Sequence, residues 1–177
     1  MTIVLALLAP ALHLAAPAAA QDAATDPRCA SVRPAYPAGF GGWSTRTASS
    51  AGATPRTAPV LPVGRAADLS LRPLAEVQPV APWGKTPVDG HAGVAMFQVT
   101  RAGTYRVGLG SAAWVDVVRA GKPLASSAHG HGPACTGIRK IVDFRLQRGR
   151  YILQLSGSAA ATVPVLIAQA PVTRGAA

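Results

Sequence analysis

From residue 65 onwards apolar and polar residues alternate with a period of two, the signature of half-buried strands. Residues 68–72 (DLSLR) alternate cleanly, and 94–99 form a second run closed by TRAG at 100–103. Residues 104–109 place Tyr105, Val107 and Leu109 on one face. Residues 114–118 (WVDVV) follow, then a turn at 119–122 and a short run at 123–126. In 141–146 the alternation puts Val142, Phe144 and Leu146 inward, with Asp143 and Arg145 outward. A turn at 147–150 leads into 151–155 (YILQL), and 163–167 (VPVLI) is the last run. Seven or eight short strands with glycine-bearing turns, and no window of a dozen residues with a helical period, predict an all-β fold. The expected architecture is an antiparallel β-sandwich of jelly-roll-like rhythm over residues 64–170, with a flexible tail at 171–177. Pro164 lacks an N–H for the ladder, so its run is expected at a sheet edge.

Residues 21–63 break this pattern. They hold Pro27, Pro34, Pro37, Pro55, Pro59 and Pro62 with Gly39, Gly41, Gly42 and Gly52, and show neither period. An irregular segment laid over the domain is the expected outcome. Within it Trp43 follows two glycines, and it either stacks on a ligand or plugs an apolar edge of the sandwich.

Residues 3–20 (IVLALLAPALHLAAPAAA) carry no charge and end in three alanines before Gln21 and Asp22. An apolar stretch closed by a small-x-small site reads as a cleaved secretory signal over residues 1–20. Pro10, His13 and Pro17 argue against a membrane anchor, so no transmembrane segment is expected after cleavage. No Lys or Arg precedes the apolar run, a departure from the usual signal. Export to a periplasm or cell surface follows as the expected location. In an oxidising compartment the only two cysteines, Cys29 and Cys135, are expected to pair as a disulfide, the rival reading being a thiolate ligand or nucleophile at Cys135.

Composition narrows the chemistry. Glu76 is the only glutamate, so a mechanism needing two glutamates is excluded. Lys and Arg number 17 against 7 Asp and Glu, a formal net charge of +10, and 14 of the basic residues are arginines. Aromatic content is 5%, without the interleaved aromatics that stack bases, and an exported protein does not meet nucleic acid. The excess positive charge points instead to anionic envelope components or acidic polysaccharide as partners. No phosphate loop, dinucleotide fingerprint or G-x-S-x-G stands in the chain.

The most unusual stretch is residues 129–140 (HGHGPACTGIRK). Two imidazoles two residues apart on extended chain, His129 and His131, point the same way. They form a candidate pair for Fe, Zn or Cu, with His91, Asp116 or Asp143 as candidate third ligands. The opposing reading is a glycine-rich surface loop, anchored by the disulfide, with solvated histidines. Trp114 and Asp116 are further candidates for ligand contact, Asp116 alternatively as a Ca²⁺ ligand or as the partner of Arg106 across a hairpin.

The motifs AGTYRV (102–107), WVDVV (114–118) and GRYILQLSG (149–157) loosely resemble accessory β-sandwich domains found beside secreted bacterial peptidases. FGGW (40–43), AGTYRV, AWVDVV (113–118), HGHGPACTGIRK and VDF (142–144) are similar to a group of small exported proteobacterial proteins. Some of that group carry the name homogentisate 1,2-dioxygenase. That name implies a cupin with non-haem iron held by two histidines and a glutamate. Carried over, it assigns His129 and His131 only. Cys135 stands where a cupin places its glutamate, and no histidine follows His131. The expected function is therefore a non-enzymatic exported module with a binding or envelope-associated role and no cofactor. The alternative is a small cupin-type metal-dependent dioxygenase.

Overall fold

The computed structural model describes residues 26–171. The expected signal peptide and most of the expected tail lie outside the described residues. Eleven strands appear in chain order: β1 (Arg46–Ser50), β2 (Ala66–Ser70), β3 (Arg72–Pro73), β4 (His91–Val99), β5 (Gly103–Leu109), β6 (Trp114–Arg119), β7 (Lys122–Pro123), β8 (Ala128–Gly130), β9 (Lys140–Leu146), β10 (Gly149–Ser158) and β11 (Thr162–Gln169). Among the described residues the only helical pieces are single 3-10 turns at Pro27–Cys29 and Leu74–Glu76. No helix among these residues is long and apolar enough to cross a membrane.

The strands form two sheets, β1-β2-β11-β5-β9-β8 and β3-β4-β10-β6-β7. All pairings are antiparallel except β1 with β2. The period of two does the work expected of it: Tyr105, Val107 and Leu109 of β5 and Val142, Phe144 and Leu146 of β9 all enter the core between the sheets. There they meet Phe97, Val117, Leu153 and Leu155 from the other sheet, all fully buried. Each such side chain contributes about 1.5–3 kcal/mol by leaving water.

Residues 21–63 are less irregular than their composition implies. They supply β1, whose polar residues carry no apolar alternation because both of its faces are largely solvated. The chain then crosses to the other sheet and runs beside β4. Gly52 and Val94 exchange N–H···O bonds of 2.9 and 3.0 Å, and Leu61 donates to Met96 O at 2.8 Å. A second apolar cluster, Phe40, Trp43, Ala66, Ile138, Leu166 and Ala168, lies on the outer face of the six-stranded sheet. Gly108 of β5 is required there, because a Cβ at that position would enter the Phe40 ring.

This second cluster corrects the reading of Pro164. β11 is an interior strand between β2 and β5. Its apolar run is continuous because both of its faces are covered, as buried strands require. The proline is tolerated because it stands just past the last β5 partner, Val165↔Leu109. Its carbonyl still accepts from Gly110 N–H at 2.9 Å, so the missing donor costs only the reciprocal bond of that terminal pair.

Cys29 and Cys135 form a disulfide with Cα atoms 5.2 Å apart. It ties the start of the described chain to the loop before β9, beside the outer cluster.

Candidate functional site

At the β6 start of the five-stranded sheet a cleft of about 570 Å³ opens on the outer face. It is bounded by the 85–89 loop, by Ala112–Trp114, by Ser156 and Gly157 of β10, and by His129, His131, Arg139 and Lys140 from the other sheet. Three residues picked from the sequence, Trp114, His129 and His131, therefore share one cavity although they come from different strands and sheets.

The platform is Trp114. It begins β6, points away from the core and is 41% exposed. Its indole Nε1–H donates to Asp116 Oδ1 at 2.9 Å, which fixes the ring. Asp116 is itself buried, and its other oxygen accepts from Gly84 N–H at 3.1 Å and from Gln154 Nε2 at 3.4 Å. Gln154, fully buried on β10, accepts from Val80 N–H at 2.8 Å and donates to Ala81 O at 3.2 Å. This network pins the loop that forms the cleft wall. A Cβ on Gly84 would collide with both Asp116 and the Trp114 indole, so the loop reaches this close only with glycine there.

Asp116 thus braces the platform from behind. The expected pairing with Arg106 does not form: Arg106 lies on the other sheet and faces Asp143, with Nε to Oδ1 of 3.6 Å. The two residues share a polarity pattern but not a sheet, which the spacing in sequence could not reveal.

Lys140 opens β9 from the opposite sheet. Its ammonium lies 5.9 Å from the Trp114 ring centroid and donates to the Ala113 carbonyl at 2.5 Å. Partial burial holds its pKa below the ordinary 10.5, and the neighbouring Arg139 charge lowers it further, against the opposing pull of Asp116. Lys85, Arg139 and Lys140 make the cleft positive, with Asp89 the one acid among its lining residues. Ser156 lines the cleft at 1% exposure, and its hydroxyl has no hydrogen-bond partner among the described residues.

The histidines sit at the rim. His129 lies on the edge strand β8 opposite Val142, and His131 Nδ1 is 3.4 Å from the Arg139 carbonyl. Both are solvent-exposed. Their loop is built: Thr136 Oγ1 donates to Pro133 O at 2.7 Å and accepts from Ile138 N–H at 3.2 Å. Iron of the kind the resemblance implies does not fit the donors present. The Cys135 sulfur is held in the disulfide, Asp143 faces Arg106, and Asp116 is engaged by Trp114 and Gly84. Among the described residues no three His, Cys, Asp or Glu side chains converge as a metal cluster.

Trp43 is buried, as a plug of an apolar edge would be, and it also lines a smaller cavity near the disulfide. At 1% exposure it is packed beside Phe40, with ring centroids 6.2 Å apart, and closes the outer apolar cluster. That cavity, of about 350 Å³, is also lined by Cys29, Tyr36, Arg46 and Thr136 among others. The cleft-lining residues that sequence reasoning did not single out as site candidates are Lys85, Arg139, Lys140 and Ser156. The adjacent pair at 139–140 was visible as charge, but nothing in its spacing pointed to Trp114.

No protein-family model matches the chain, and a search of curated proteins finds no match either.

Proposed function

We propose that this chain is an exported, non-enzymatic binding module that holds anionic components of the bacterial envelope, in the periplasm or at the cell surface of a Gram-negative cell. The observation that carries the reading is the cleft: three cationic side chains and one acid around an exposed, braced tryptophan. Concave sites lined by apolar groups with a few convergent polar ones are where ligands bind, and a positive lining concentrates anions there. The net charge of +10 extends the same preference over the molecule. The disulfide supports export, since such bonds persist in oxidising compartments.

The test is binding of the purified protein to lipopolysaccharide and to alginate, with dextran as the neutral control. Binding to at least one polyanion is expected, weakened between 50 and about 300 mM salt as charge screening requires. Equal retention by dextran, or no polyanion binding at low salt, overturns the reading. A metal-dependent dioxygenase gives a different signature: Fe²⁺, Zn²⁺ or Cu²⁺ at a hundred times Kd stabilises it by about 2.7 kcal/mol. That gain vanishes in His129→Ala/His131→Ala, and homogentisate consumes oxygen. Those results together would replace the binding module with the enzyme.

A further inference from the structure

We infer that the Trp114 cleft recognises a sugar ring carrying an anionic group, a carboxylate or a phosphate, with the ring on the indole and the charge toward Lys140 and Arg139. This rests on the proposed binding role and names the ligand class for it.

Three independent features of the cleft converge on that chemistry. Trp114 is exposed on a rigid footing, its Nε1–H already committed to Asp116, so what it offers a ligand is an apolar ring surface and not a hydrogen bond. The apolar C–H face of a pyranose fits such a surface. Lys140 is half-buried against that indole and spends one of its three donors on the Ala113 carbonyl. An anion placed there gains charge-assisted hydrogen bonds in a partly desolvated site. Ser156 supplies the third feature. It is a hydroxyl on the cleft wall, 1% exposed and without a protein partner among the described residues. Buried hydroxyls are almost always hydrogen-bonded in folded proteins. A sugar hydroxyl can act as donor or acceptor to it while the ring stays on the indole and the charge on the lysine. The three groups come from β6, β9 and β10, so the cleft is read by side chains that only the closed sandwich brings together.

The probes are glucuronate, glucose 6-phosphate, glucose and inorganic phosphate, titrated calorimetrically, with the Trp114 indole N–H resonance reporting location. Glucuronate or glucose 6-phosphate is expected to bind about tenfold or more tightly than glucose and than phosphate. Preference for glucuronate assigns the cleft to uronate-bearing polysaccharide, and preference for glucose 6-phosphate to phosphorylated envelope sugars; either supports the inference. Ser156→Ala should weaken binding about five- to tenfold, one neutral hydrogen bond, while the protein melts no lower than the wild type. Lys140→Met and Trp114→Ala should weaken it further, and Arg150→Ala, at the far end of β10, should leave it unchanged. If phosphate binds as well as the sugars, or Ser156→Ala leaves affinity intact, the inference fails. If alginate or lipopolysaccharide binds but no sugar probe moves the indole resonance, the inference fails and the binding role stands. If neither polyanion nor sugar binds, both fail.

Discussion

Lys140 shows how single residues trade stability for chemistry here. Its ammonium is partly withdrawn from water, and the net effect of its surroundings lowers its pKa from 10.5. A lysine whose folded pKa is depressed penalises the folded state while it is charged. Between the lowered pKa and 10.5 the unfolded chain binds more protons, so the folded state gains stability as pH rises through that window. Lys140→Met should therefore raise the melting temperature at pH 7, and the advantage over wild type should shrink as the pH is taken into that window. Thermal melts at a series of pH values check this. A methionine variant that melts lower at pH 7 would show that the bonds to Ala113 and Trp114 outweigh the burial.

At the scale of elements, the decisive feature is that the segment before β2 belongs to the sandwich. It gives one sheet an edge strand, the other a run of bridges along β4, and the outer face of β11 its cover. The disulfide closes 106 residues of separation and fixes this strap at its beginning. In the chain-entropy account a loop of that length stabilises by ~4–5 kcal/mol. Cys29→Ser and Cys135→Ser should each lower stability in denaturant titrations by a similar amount. The double variant should cost little more, because each single one already removes the whole bond. Two thiols that alkylate freely in the native protein would refute the pairing.

For the molecule as a whole, charge and compartment are linked. Among the described residues four of the six acids are paired with arginines: Asp26 with Arg28, Asp68 with Arg46, Glu76 with Arg72 and Asp143 with Arg106. Other arginines, among them Arg101, Arg145, Arg148 and Arg150, are exposed and contribute to the net charge of +10. Such a surface is suited to the polyanionic envelope of the proposed function, which requires that residues 1–20 act as the export signal expected from the sequence. Cleavage after Ala20 is expected, and intact-mass measurement of the exported protein should find Gln21 first, whether or not it has cyclised. A retained Met1 on a membrane-bound form would remove both the signal and the compartment.

The amino-acid pattern by itself determined the two-layer β architecture, because side-chain alternation in β5, β6, β9 and β10 is a one-dimensional property that survives in the sequence. It also pointed to the disulfide, through the expected export signal and the even cysteine count. It missed β1, because a polar edge strand has no apolar period, and it put β11 at a sheet edge, because Pro164 argued against an interior position. The site was half legible. Trp114, His129 and His131 stood out by residue type, but their meeting with Lys140 and Ser156 depends on two sheets closing over one core. Which acid faces Arg106 follows from sheet order. Contacts between strands distant in the chain are set by packing, and packing alone brought those side chains into one cleft.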